Sequence, residues 1–132
     1  MSGAARKSSD LRTDLGRVRG LGSARDGTYH FWLQRMTAVA LVPLSLWFVI
    51  GVLSHIGADY DVFREWIGSL PVAILMILTL LVTFWHTSLG LQIVVEDYIH
   101  GKFAHLFILA LIRLSCFALA LAGSVSVLKF LI

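Results

Sequence analysis

Residues 71–85, PVAILMILTLLVTFW, run fifteen positions without a charge and then deliver His86. The apolar stretch continues almost to Glu96, longer than the roughly 20 residues needed to cross a ~30 Å hydrocarbon core. It can only be a membrane helix. Two further segments meet the same length requirement, which places spans at about 31–55, 68–97 and 103–130. The whole chain of 132 residues is 58% hydrophobic with a mean hydropathy of +0.82, far from the balance of a soluble domain. The expected fold class is an all-α membrane protein. Its three transmembrane helices have almost no soluble part beside them, so they form part of a heteromeric helix bundle in which partners bury the polar intramembrane groups.

The net charge of +3 and the isoelectric point near 9.4 do not point to nucleic acid, because the cations are not spread over a surface. Arg6, Lys7, Arg12, Arg17, Arg19, Arg25 and Arg35 all precede or begin the first span. The next connection, 57–67, carries Asp59, Asp61 and Glu65 against Arg64 alone. The positive-inside rule therefore predicts a cytoplasmic N-terminus and an outer first loop. Asp97, Tyr98, His100 and Lys102 then return to the cytoplasmic side.

Residues 1–24 are rich in Ser, Gly and Arg and read as a flexible or partner-ordered arm, with no apolar core of a secretion signal. A turn is expected at 22–27, followed by an interfacial aromatic cluster of Tyr29, His30, Phe31 and Trp32. Pro43 predicts a kink in the first span, whereas Pro71 stands near the start of the second, where proline is at home. Cys116 is the single cysteine and reads as a small hydrophobe.

Chemistry concentrates on the second span. A charged side chain at a helix centre costs about 2.5–3.5 kcal/mol on insertion scales, and a neutral imidazole less, so His86 calls for a reason. One reason is a hydrogen bond between helices. The other is ligation of a haem iron. Gly90, one turn on and on the same face, removes bulk where a porphyrin would approach, and Ile93 continues the stripe as an apolar wall. With no second histidine on this face, the opposite axial ligand would come from another chain, and a haem so ligated serves electron transfer.

Eleven residues separate His86 from Asp97. At ~100° and 1.5 Å per residue they lie within about 20° of each other and about 16 Å apart along the axis, from mid-membrane to the interface. Tyr98 points about 120° away from His86, toward a neighbouring subunit. Asp97–Tyr98 reads either as an aromatic-belt tyrosine beside a helix-ending carboxylate or as a quinone site. In the second case the phenol donates to a carbonyl oxygen that becomes more basic on reduction, and the carboxylate relays the proton. Glu96 is on another face and reads as solvated.

Arg35 either snorkels to the headgroups or meets a haem propionate or the quinone site. Arg113 lies too deep to snorkel and calls for a propionate, a lipid phosphate or a partner carboxylate. His30 could support the site. His55 reads as interfacial, and His100 and His105 as solvated or locally bonded.

His86 followed by Asp97-Tyr98, late in the second of three spans, resembles the small hydrophobic membrane anchor of succinate dehydrogenase (respiratory complex II), in its bacterial type. The likeness extends to residues 27–38 (GTYHFWLQRMTA) and 90–98 (GLQIVVEDY), and covers about 22–132. Tyr29-His30 stands where some members have His-Asp. The resemblance implies a non-flavin subunit of succinate:ubiquinone oxidoreductase, inactive alone, in the bacterial cytoplasmic membrane. It implies that His86 is an axial ligand of haem b, that Tyr98 donates to ubiquinone, and that Asp97 belongs to the proton path. It also implies three partners beside membrane lipids: the cytochrome b subunit with the other axial histidine, the iron–sulfur subunit, and the flavoprotein. Two alternatives remain open, a haem-free structural anchor and the anchor of a related quinol:fumarate reductase.

Overall fold

The computed structural model describes residues 25–132, so the expected arm at 1–24 lies outside the described residues. Four helices follow in order: α1 (Arg25–Ser54), α2 (Tyr60–Gly68), α3 (Leu70–Tyr98) and α4 (Lys102–Leu131). Three of them, over Gly27–Ser54, Leu70–Tyr98 and Lys102–Leu131, are long and apolar enough to cross a membrane.

The first span begins earlier than the sequence suggested. Gly27, expected in a turn, is already inside α1, and the helix runs on through Pro43. Chain reversal comes at 55–58, where Gly57 adopts φ +82°, a conformation that costs a side-chain-bearing residue and suits glycine. The second difference is α2, which occupies most of what reads as a plain loop. Phe63, Trp66 and Ile67, spaced i, i+3, i+4, turn inward, while Asp61, Arg64 and Glu65 stay exposed. Ser69 alone makes the corner between α2 and α3. It is extended (φ −72°, ψ 132°), and its hydroxyl donates to the Trp66 carbonyl at 2.8 Å. Its own carbonyl accepts from Ala73 N–H, and Pro71 occupies the first turn, where its missing donor is not needed.

Helix α3 is the middle of a row. It packs against both α1 and α4, and α1 and α4 do not approach each other. The small α2 packs against α3 and α4 at the end of the row where α3 begins. There Ala73, Met76 and Val127 form the buried cluster, ringed by Trp47, Trp66, Ile77 and Leu80. His55, expected at the interface, is stacked on Trp66 with ring centroids 4.4 Å apart, and its Nδ1 lies 2.8 Å from the Gly51 carbonyl. Trp66 comes so close to Gly51 that a Cβ there would sit 2.7 Å from the indole.

Little of the apolar surface is covered within the chain. Only 6% of the most apolar part of each span is buried. Val39, Val42, Leu46 and Ile50 of α1 and Leu114 and Phe117 of α4 are more than half exposed. A surface of this kind is stable only against lipid or other helices. Hydroxyls inside the spans satisfy themselves locally, as Thr79 and Ser124 do by donating to carbonyls one turn back at 2.7 Å.

Candidate functional site

His86 occupies the α3 face that meets α1. Its Nδ1 lies 2.8 Å from Thr37 Oγ1, and its Nε2 lies 3.4 Å from Gln34 Nε2. One turn on, a Cβ at Gly90 would sit 3.5 Å from the same Gln34 amide. The antiparallel register is therefore Thr37 against His86 and Gln34 against Gly90. Continued one more turn, it brings His30, on the same α1 stripe as Gln34 and Thr37, toward the Asp97 end of α3. His30 is half-buried and meets Tyr29 edge-on at 6.2 Å.

The last turn of α3 carries the other two candidates. Tyr98 is 80% exposed, and Asp97 is exposed beside it. Neither takes a hydrogen-bond partner among the described residues. Arg35 lies exposed on α1 with its guanidinium 4.5 Å over the Phe31 ring, a cation–π contact at the height where the aromatic belt sits.

Arg113 is elsewhere. It donates from Nη2 to Gln92 Oε1 at 2.9 Å, and Gln92 Nε2 donates to Glu96 Oε1 at 2.7 Å. From the sequence, Arg113 called for an anion outside the chain and Glu96 for water. Glu96 is exposed as expected, but the structure also links it to Arg113 through the side-chain amide of Gln92, a residue 9% exposed. A cation and a carboxylate bridged this way leave a net-neutral group inside the apolar span. Gln92 comes six residues after His86, about 120° away from it, so this chain of hydrogen bonds faces α4 and not α1.

Gln34, Thr37 and Gln92 did not stand out in the sequence. The signal available was a polar pair flanking Arg35 inside an apolar run, and a lone amide among Leu, Ile and Val. Neither says which neighbour it meets.

The donors present fit one metal-bearing group and exclude another. Among the described residues no three His, Cys, Asp or Glu side chains gather to hold an ion unaided. A haem iron asks a single imidazole of this chain. His86 supplies one, firmly held at Nδ1 and only loosely met at Nε2, where the contact exceeds the usual 2.7–3.2 Å range for an N–H donor. Beside it the Gln34 Oε1 is buried without a partner among the described residues, so the polar contact between α1 and α3 is not saturated by them.

The fold and site define a multi-pass membrane protein of three spans, with its polar groups arranged on both sides of a central helix. Residues 9–126 match the family model of the succinate dehydrogenase/fumarate reductase transmembrane subunit, and the chain belongs to this family. It is 35% identical over 91 residues to the succinate dehydrogenase hydrophobic membrane anchor subunit of Rickettsia bellii, covering 68% of this chain and 72% of the relative. The corresponding subunit of Paracoccus denitrificans is 33% identical over 113 residues, covering 80% and 88%. The succinate dehydrogenase membrane anchor subunit of Reclinomonas americana is 31% identical over 93 residues, covering 67% and 77%. No solved structure matches the chain.

Proposed function

We propose that this chain is the membrane-anchor subunit of a succinate:ubiquinone oxidoreductase. In this reading it helps hold haem b and ubiquinone and passes electrons from an iron–sulfur partner to the quinone. The observation that carries the reading is the state of His86, an intramembrane imidazole fixed by Thr37 at one nitrogen and met at the other only by a 3.4 Å amide contact. The family's cytochrome b subunit would contribute the opposite ligand, along the face of the helix row that the chain leaves open. Haem, when bound, would supply a reversible one-electron store.

Reduction of ubiquinone takes up two electrons and two protons. The Tyr98 hydroxyl donates a hydrogen bond to one carbonyl oxygen, which gains basicity as electrons arrive, and Asp97 hands on a proton from the aqueous side. Both side chains are exposed at the end of α3 and without a partner among the described residues, which suits groups that meet a substrate and a second subunit. Arg35 and His30 lie toward that end on α1 and are suited to a propionate or to the quinone site. Arg113 supports the same end by bracing the last turns of α3 through Gln92 and Glu96. In this reading the end faces the cytoplasm of a bacterium, a side that the charge asymmetry of the loops supports, and the iron–sulfur and flavoprotein subunits would dock there.

The test is Tyr98→Phe in the assembled complex. Succinate-dependent quinone reduction should fall by about 100-fold, the low end of what a positioned proton donor contributes. Succinate oxidation with an artificial dye should be retained. Equal quinone rates in the two proteins would remove Tyr98 from the site.

One observation favours a second reading. Both nitrogens of His86 have neighbours within the chain, so a haem-free anchor in which His86 only bonds α3 to α1 has a structural basis. It requires that the purified complex contain no haem.

A further inference from the structure

Resting on the haem reading above, we infer that Thr37 is a positioning residue for His86. Its hydroxyl oxygen accepts the Nδ1 proton and thereby leaves Nε2 as the lone-pair nitrogen available to iron. The argument is a count of protons. Thr37 Oγ1 lies 2.8 Å from the Leu33 carbonyl, 3.1 Å from the Gln34 carbonyl and 2.8 Å from His86 Nδ1. It has one proton to give, and two of its three neighbours are carbonyls that can only accept. With the proton on a carbonyl, the usual back-bond of a helical threonine, the hydroxyl oxygen is free to receive Nδ1–H.

The opposite tautomer fails on the same count. A hydroxyl donating to Nδ1 would press its oxygen against two carbonyl oxygens with no proton between them. Nε2–H would then point at the Gln34 amide nitrogen, donor against donor. Turning the Gln34 amide over removes that clash, but it moves the NH2 group to the place where Oε1 now has no partner. Two unsatisfied donor hydrogens in an apolar span replace one unsatisfied acceptor. The arrangement with Nδ1–H to Thr37, and the Gln34 amide donating to the Nε2 lone pair, is the one the contacts allow.

Two consequences follow for a bound iron. The ring cannot rotate freely, because Nδ1 is tied to a hydroxyl that is itself tied to its own helix. A ring whose Nδ1–H is hydrogen-bonded is also a more basic ligand, which favours the oxidised metal. Thr37 on α1 thus sets the orientation and donor strength of a ligand on α3, and contact between these two helices is coupled to the cofactor.

The experiment uses the assembled complex with Thr37→Val, which keeps the shape and removes the hydroxyl, and with Thr37→Ser, which keeps the hydroxyl. Thr37→Val should shift the haem midpoint potential in the positive direction and change the low-spin electron paramagnetic resonance spectrum. Thr37→Ser should return both toward wild type. A Thr37→Val complex with the wild-type potential and spectrum overturns the inference while leaving His86 as ligand. A wild-type complex without a b-type band overturns the haem reading instead. A haem-independent readout separates the two further: 15N nuclear magnetic resonance of histidine-labelled complex from haem-limited cells, with His86 assigned by its loss in His86→Ala. The proton should be on Nδ1, and a proton on Nε2 rules out the assignment of Thr37 as acceptor whether or not haem binds elsewhere.

Discussion

The two polar side-chain groups between the helices of this membrane protein sit on either side of one helix and are built differently. On the α4 side, Arg113, Gln92 and Glu96 form a closed chain, with a charge at each end and hydrogen bonds of 2.9 and 2.7 Å between them. On the α1 side, His86, Thr37 and Gln34 are all uncharged or able to be so. One contact is short, one is long, and one buried oxygen is left without a partner. Inside hydrocarbon, where an unsatisfied polar group costs several kcal/mol, a closed group is structural and an open one is waiting for something. The α4 side ties two helices together, and the α1 side leaves hydrogen-bonding capacity unused.

Three substitutions in the assembled complex can break or sharpen that contrast. Gln92→Leu removes the acceptor of Arg113 and the donor to Glu96 together. Hydrogen bonds to charged groups contribute about 1.5–3 kcal/mol each, so the thermal midpoint of the complex should drop clearly. Gln34→Leu removes only the long contact to His86 and also removes the orphaned oxygen, so its effect on the same midpoint should be less than half as large. Equal losses would mean that the α1 side is a structural bond too. Glu96→Gln comes last. The side chain is mostly exposed and keeps an acceptor for Gln92, so the expected cost is about 0.2–1 kcal/mol in the same measurement.

How much of this was legible in the sequence follows from what lipid does to patterning. The three spans are plain, because length and apolarity decide them, and so is the anomaly of His86 among them. Asp97 and Tyr98 were locatable by helical spacing alone. Which faces meet was not legible. A membrane helix is apolar all round, and lipid chains are as apolar as Leu or Val, so no periodic stripe marks the side of α3 that packs on α1 or on α4. Gln34, Thr37 and Gln92 acquire their meaning only from that packing. Arg113 was recognised as needing an anion, but the sequence offered no way to see that an amide one turn from Glu96 would relay one. Helix α2 was hidden for a different reason: its amphipathic stripe of Phe63, Trp66 and Ile67 is clear, but the element is only nine residues long and its charged face between two spans reads as loop.

Family membership adds what the row of helices cannot supply alone. The relatives carry the name of membrane anchors of succinate dehydrogenase, and a chain with so little of its apolar surface covered is built to be surrounded. Its own contribution is narrow: one imidazole on the inner face, a phenol and a carboxylate at the end of the same helix, and the α1 groups that hold the imidazole in place.

The measurement that tests this most directly is the dithionite-reduced minus oxidised visible spectrum of the affinity-purified complex, wild type beside His86→Ala. A low-spin b-type band in wild type, lost or shifted in the variant while the subunits remain assembled, is the predicted result. A wild-type complex with all its partners and no such band, or a band unchanged by His86→Ala, would contradict the assignment of His86 as a haem ligand and leave it as a bond between α3 and α1.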